Sequence, residues 1–411
     1  MDLSFPPEAE AFRAEVRARI ASLLPEGWRG VGALDREEAH AFSITWRKVL
    51  YDNGLLGITW PVEYGGGGRT KVEQVVLAQE LARAQVPAGR LTDTTSVKML
   101  GNTLLRWGTE EQKREHIPRI LSGDEIWVQG YSEPEAGSDL AGLRTRAHRD
   151  GDEWVITGQK IWTSRAQEGT GIFVLARTNP DAAKHHGISL LLCPLDTPGV
   201  EVRPIRTLTG DDEFCEVFFD GARTPVDNVV GPVDGGWKVA NSLLGLERGE
   251  EAATNPILFR AELDRLVELA RATGAADDPR IRDALAWCFT RVEVMRFLGY
   301  RILTQYLRDG ELGAASSIAK LYWSEYHQAA TDLGLRILGA RAMVREGRRP
   351  YRSFRTDEPG ADNSTNSWID VALLNARSGT VYAGTSQIQR NILAESILGL
   401  PKEPRPTNPA A

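Results

Sequence analysis

Apolar residues recur at helical spacing at the start of the chain. Phe12, Val16 and Ile20 fall at i, i+4 and i+8 and predict one buried face of an amphipathic helix. Residues 72–86 and 95–122 continue in that style, with Gly- and Pro-containing breaks between them. One break, residues 60–70, carries a run of glycines at 65–68. No strand precedes these glycines and no Lys-Ser/Thr follows, so a plain mobile loop is expected rather than a phosphate cradle. From about Ile126 the texture becomes that of short strands. Residues 146–162 read as strand, Asp-Gly turn, strand, and short apolar runs follow at 171–178, 187–195, 200–205 and 213–220. Gly235 and Gly236 then open a helical region. In it Leu285, Phe289, Val292 and Met295, and later Ile318, Tyr322, Tyr326, Ala329 and Leu333, keep the spacings of bundle helices. Residues 345–366 are polar and Pro/Gly-rich, a long loop between helices. The pattern predicts an α+β chain of three domains: an N-terminal helical domain (1–125), a middle β-domain (126–234) and a C-terminal helical bundle (235–411).

Composition narrows the function. A chain of 411 residues exceeds one ordinary domain, and 42% hydrophobic residues with 11 Trp are ample for buried cores. Lys+Arg 49 against Asp+Glu 56 gives a net charge of −7, which argues against a nucleic-acid partner. No apolar run approaches the roughly 18 residues of a membrane span. The acidic start lacks a signal-peptide h-region, and Cys193, Cys215 and Cys288 are scattered. A reducing cytoplasm is the expected location, without membrane association. The histidines show no ligand spacing, so no metal is expected, and no nucleophile-elbow or P-loop string occurs. Arg345, Arg348, Arg349, Arg352 and Arg355 form a basic patch, to be read either as a solvated loop or as a hold on a ligand phosphate.

Three uncommon strings lie at 127–147 (WVQGYSEPEAGSDLAGLRTRA), 158–164 (GQKIWTS) and 381–401 (VYAGTSQIQRNILAESILGLP). Together, and in this helix–β–helix order, they resemble the acyl-CoA dehydrogenase family over nearly the whole chain. The resemblance implies FAD, an acyl-CoA substrate and a C-terminal four-helix bundle. It places Gln129, Gly130, Tyr131 and Ser132 along the flavin pyrimidine and Gly137 and Ser138 at the phosphates, with Ser138 also near substrate. Trp162, Thr163 and Ser164 then flank the ring, and Thr385 and Gln387 complete the cofactor set. Glycine is usual where this chain has Glu135, and a carboxylate beside a diphosphate is unfavourable unless it points away.

The family's reaction removes a proton α to a thioester carbonyl and passes the β-hydrogen to flavin as hydride, so it needs a carboxylate base. Most members carry a glutamate immediately before the Gly-Thr of the last motif. Here that position is Ala383, beside Gly384. Isovaleryl- and long-chain-type members instead carry the base on the first helix after the β-domain, where Glu247, followed by Arg248, aligns. Leu243, Leu244 and Leu246 around it predict an apolar setting that raises its pKa. Arg248, Ala383 and Gly384 are the expected substrate contacts, the Ala383 N–H polarising the thioester carbonyl. The competing readings of Ala383 are a non-catalytic subunit that completes a partner's site and an acyl-CoA oxidase on the same fold.

Homotetrameric relatives lend their neighbours an R-x-x-F-G segment and a Q-x-x-G-G segment. This chain reads RATGAADDPR at 271–280 and RILGA at 336–340, which keeps Arg271, lacks Phe-Gly and puts Arg336 in place of glutamine. A second, different chain could supply those elements. The pattern resembles the heteromeric (α2β2) acyl-CoA dehydrogenases of actinobacterial steroid side-chain breakdown, and it implies a steroid-CoA substrate with an electron-transfer flavoprotein as acceptor. An ordinary homotetramer acting on branched or long chains is the alternative.

Overall fold

The computed structural model describes residues 5–309, 315–351 and 362–402; the side chains of residues 243–251, 253, 306, 309 and 315 lie outside the description. The first predicted helix forms as α1 (Pro7–Leu23), with Phe12, Val16 and Ile20 all buried. Next come α2 (Arg36–Asp52), α3 (Lys71–Arg83), a π-helical turn over Thr94–Gly101 leading into α4 (Asn102–Trp107), and α5 (Glu110–Ser122). Helices α2, α3 and α5 each start in a capping box, Asp35 with Glu38, Thr70 with Glu73 and Thr109 with Gln112. The glycine run is a packed turn rather than a plain mobile loop. The Gly68 amide donates to the Trp60 carbonyl (2.9 Å) and the Arg69 amide to Ile58 (2.7 Å). A β-carbon at Gly66 would stand 2.3 Å from the Trp60 carbonyl oxygen, so glycine is there for close backbone approach.

The β-domain contains β1 (Trp127–Gly130), β2 (Arg146–Asp150), β3 (Glu153–Ser164), β4 (Gly171–Arg177), β5 (Ile188–Pro194), β6 (Val200–Ile205), β7 (Phe214–Pro225) and β8 (Val229–Val230). Their order is β6-β7-β3-β2-β4-β5-β8, with β1 lying parallel on β4. Asp150 pairs Glu153 across a two-residue hairpin whose Gly151 has φ +62°, as the Asp-Gly signal predicts. Strand alternation splits the apolar residues into two cores. Val128, Ile172, Val174, Leu191 and Val217 fill the interior of the sheet, while Phe173, Leu175, Leu190 and Leu192 pack on the N-terminal helices.

The C-terminal helices are α6 (Gly236–Thr273), α7 (Pro279–Asp309), α8 (Ala315–Leu338) and a broken fourth arm. That arm holds α9 (Thr365–Trp368), a π-helical turn over Ile369–Asn375, α10 (Ser386–Ile392) and a π-helical end over Leu393–Ile397. Cys288, Val292 and Met295 of α7 pack with Tyr326, Ala330 and Leu333 of α8. Phe289 is 47% exposed and Ala329 is exposed as well, so both fall beside the buried face rather than on it. One residue separates each from its buried neighbour, a 100° turn of the helix.

The described part of the basic segment is a partly exposed loop whose arginines are engaged within the chain. Arg345 and Arg349 pair with the buried Asp370 carboxylate (2.7 and 3.2 Å). Arg349 also donates to the Thr209 carbonyl, and Arg348 to those of Gly32 and Leu34 (3.1 and 2.9 Å). These arginines therefore clasp the bundle to both other domains. Arg352 and Arg355 lie outside the described residues.

Glu80 of α3 ties the first and third helices. Arg13 (2.9 Å) and Arg17 (2.8 Å) of α1 both donate to its buried carboxylate, as does Arg83. Burial works against ionisation, yet the hydrogen bonds from Arg17, Arg13 and Arg83 hold this carboxyl down at about 2. Its folded pKa lies below its unfolded value, so the stability it contributes is complete above about pH 4.5 and is lost as pH falls toward 2. Glu80→Gln is therefore expected to be less stable than wild type at neutral pH, with the gap closing through that window in urea titrations. A gap independent of pH would refute the tie.

Candidate active site

The segment between β1 and β2 and the far end of β3 are brought together by their backbones, the Ile161 amide donating to the Ser132 carbonyl (3.0 Å). The register of β3 on β7 slips between Lys160 and Thr163, and within that bulge Trp162 takes φ +64°. A bulge re-aims a side chain. Here it turns Trp162 outward, 56% exposed, with its ring edge-on to Phe214 at 6.0 Å between centroids. Its neighbour Thr163 is buried and its hydroxyl makes no hydrogen bond. Ser164 pairs with Phe214 at the strand's end.

Along β1, Gln129 is partly buried. Gly130 serves packing: a β-carbon there would stand 2.7 Å from the Ile172 side chain. Tyr131 is buried edge-on to Phe173 at 5.9 Å. Burial pushes its phenol far above the ordinary range, with the Gln129 amide as polar neighbour, and the oxygen lacks a hydrogen bond of normal geometry. Gly137 and Ser138 sit exposed on the rim, and a β-carbon at Gly137 would meet nothing within 4 Å. Glu135 turns to solvent and pairs with Arg144 (2.8 Å), so its charge points out of the loop and is neutralised.

What holds this loop is a pair the motif reading passed over. Lys160, fully buried on β3, donates to the Glu133 carboxylate (2.8 Å) and the Tyr131 carbonyl (3.1 Å). The same carboxylate accepts the amides of Arg144 (2.6 Å) and Thr145 (2.8 Å). Burial lowers the Lys160 ammonium to about 8 against the pull of Glu133. Lys160 and Glu133 stand 27 apart in sequence, so no local signal joins them; an isolated lysine in an otherwise strand-like run was the only hint.

The third motif forms a tight turn on α8. Ala383 has φ +51° and Gly384 φ +86°. Thr385 caps α10 by accepting the Ile388 amide (3.1 Å). Buried Gln389 donates to the Ala383 carbonyl (3.0 Å), and Lys320 of α8 donates to that of Gly384 (2.7 Å). The Ala383 amide finds no acceptor among the described residues, and Gln387 lies exposed on α10. Among those residues, no hydrogen bond joins this turn to the loop around Ser132. Gln389 and Lys320 are further residues that the sequence did not single out.

Glu247 and Arg248 lie in α6, Glu247 two turns beyond the buried Ala240; their side chains are outside the described residues. The RATGAADDPR and RILGA segments meet at one end of the bundle. Ala275 and Ala276 pack with Ile337 and Leu338 in one core, and Arg336 acts electrostatically on Asp278. Among the described residues, no His/Cys/Asp/Glu group could hold a metal, and no helix is long and apolar enough to cross a membrane.

The donor set fits a flavin. Thr163 Oγ1 is sealed from solvent without a partner, Tyr131 Oη has only the Gln129 amide as a polar neighbour, the Gly137 backbone is open to close approach, and an aromatic ring stands at the bulge. Family profiles agree with that fit. The N-terminal, middle and C-terminal domains of acyl-CoA dehydrogenases match residues 6–124, 129–222 and 234–398. Acyl-CoA dehydrogenase IpdE1 of Mycobacterium tuberculosis is 41% identical over 96% of this chain and 99% of its own length. Among solved structures, the Tcur3481-Tcur3483 steroid ACAD is 36% identical with a TM-score of 0.79, covering 98% of this chain and 100% of that one. The ChsE4-ChsE5 complex of Mycobacterium tuberculosis is 32% identical with a TM-score of 0.78 over the same shares. The three-part architecture, a donor set that fits a flavin and these likenesses converge: the chain belongs to the acyl-CoA dehydrogenase family, FAD-dependent oxidoreductases acting on CH–CH groups.

Proposed function

We propose that this chain dehydrogenates the CoA thioester of a steroid side chain, with Glu247 as the base, in a complex with a second acyl-CoA dehydrogenase-like chain. The observation that carries the reading is Ala383. Its turn is built and braced, yet it presents a methyl group where the motif usually presents a carboxylate. A methyl group cannot accept the α-proton, so the base must come from elsewhere. Glu247 lies on the helix that other members use for this purpose.

In this mechanism the Ala383 amide, without an acceptor among the described residues, donates to the thioester carbonyl and lowers the cost of the developing enolate. The Glu247 carboxylate takes the α-proton and holds it, and Arg248 and Ser138 orient the thioester. Bound FAD supplies the acceptor for the β-hydrogen, which leaves as hydride. Gln129 to Ser132, Trp162 to Ser164, Thr385 and Gln387 hold the cofactor, with Gly137 and Ser138 at its phosphates. An electron-transfer flavoprotein then takes the electrons.

The steroid reading rests on the likeness to the solved Tcur3481-Tcur3483 steroid ACAD. The partner rests on the likeness to two complexes of differently named proteins, Tcur3481-Tcur3483 and ChsE4-ChsE5, and on the replaced 271–280 and 336–340 segments of this chain. The second reading, a subunit that completes its partner's flavin site without a base of its own, also starts from Ala383.

Glu247→Gln, purified with its partner, is expected to keep its flavin and assembly while kcat falls about 10²- to 10⁴-fold. Full turnover in that variant would remove Glu247 from the mechanism and favour the non-catalytic reading. Oxygen consumption with substrate would instead mark an oxidase. Lys160→Met leaves the Glu133 carboxylate buried without its counterion, at a cost of about 3–5 kcal/mol. It should also lower FAD content per chain, measured by absorbance after gel filtration. A destabilised variant with undiminished flavin would separate this pair from cofactor binding.

A further inference from the structure

The turn at 383–385 is braced by side chains of two different kinds. The neutral amide of Gln389 donates to the Ala383 carbonyl (3.0 Å), and the ammonium of Lys320 donates to the Gly384 carbonyl (2.7 Å). Lys320 is only 4% exposed. It belongs to a buried polar row on α8, with Ser317 three residues before it and Ser324 four after. Tyr326, Ala330 and Leu333, on the opposite face of the same helix, fill the bundle core.

Holding a carbonyl needs a donor and not a charge. Gln389 does so one residue away, and burying an ammonium costs far more than burying an amide. The hydrogen bond alone therefore does not account for a lysine at this place. Its position does. Two residues of backbone join the Ala383 amide to the Gly384 carbonyl, which keeps the ammonium within about 10 Å of that amide. The amide itself has no acceptor among the described residues. Where bound substrate excludes water, a cation at this range favours an anion against the amide by about tenfold.

We propose that Lys320 is a positioning residue of the reaction: it fixes the Gly384 end of the turn, and its positive charge favours the enolate that forms against the Ala383 amide. The inference rests on the oxyanion part of the proposed function. It depends neither on which residue takes the proton nor on the steroid.

The test titrates a 3-oxoacyl-CoA thioester bound to the assembled flavoprotein. This probe has an acidic α-hydrogen, and its enolate is read from its ultraviolet absorbance and from its charge-transfer band with oxidised flavin. Wild type should make the bound α-hydrogen about a hundredfold more acidic than in the free thioester. Lys320→Gln keeps a donor for the Gly384 carbonyl and removes the charge, and it should be about tenfold less acidifying than wild type. Lys320→Arg keeps the charge and should match wild type within about threefold. A mere structural brace predicts equal acidity in every variant that retains flavin. A Gln variant as acidifying as wild type therefore overturns the proposal. An Arg variant that loses tenfold or more does the same, and it decides the matter if the Gln variant fails to fold. Wild type that leaves the α-hydrogen as in free solution overturns the oxyanion reading and this inference together, so the two failures are told apart.

Discussion

Drawing a proton from the carbon beside a thioester requires a carboxylate within reach of it, and every functional statement about this chain turns on where that carboxylate stands. The turn at 383–385 keeps the architecture expected of a base-bearing loop. Ala383 and Gly384 take left-handed conformations, the Ala383 and Gly384 carbonyls are each held by a long polar side chain, and Thr385 caps the helix beyond. A left-handed alanine is disfavoured by about 1 kcal/mol or more, so the turn is held by its surroundings rather than by the preference of the residue. The Ala383 amide has no acceptor among the described residues, and the side chain beside it is a methyl group. That combination suits the proposed reaction, in which the base stands on α6 and the Ala383 amide stabilises the oxyanion.

The loop around Ser132 depends on a different constraint, a buried charge pair. Glu133 gathers the Lys160 ammonium and two backbone amides from the far end of its loop. The loop that bears Ser132, Gly137 and Ser138 is thereby locked to the strand that bears Trp162 and Thr163. Both walls of the proposed cofactor site are joined by this one interaction. Desolvation makes such pairs costly to break by removing one partner, so the geometry persists although its outer rim is exposed.

Much of this was legible in the sequence, and what was not has identifiable causes. Phe12, Val16 and Ile20 predicted the buried face of α1 because an amphipathic period is a local signal. The Asp-Gly hairpin was readable because its turn requires a particular residue. Phe289 and Ala329 lie in the predicted helices but beside their buried faces, since helical spacing does not distinguish a core face from an edge one residue away. The arginines at 345–349 read as loop or phosphate site because their acceptors, Asp370 and the carbonyls at 32, 34 and 209, are distant in sequence. The Glu133–Lys160 pair and the Lys320 and Gln389 braces escaped for the same reason. Glu135 posed a problem that its orientation toward Arg144 resolves, and orientation is invisible to a motif.

The central claim concerns a proton, and it can be followed without relying on turnover. The assembled flavoprotein, incubated in D₂O with a steroid side-chain CoA thioester that binds but cannot be dehydrogenated, should incorporate deuterium at the α-carbon, detected by mass spectrometry. With Glu247→Gln that incorporation should vanish while binding and flavin content remain. Exchange that continues at the wild-type rate in this variant would place the proton acceptor on another residue and contradict the account.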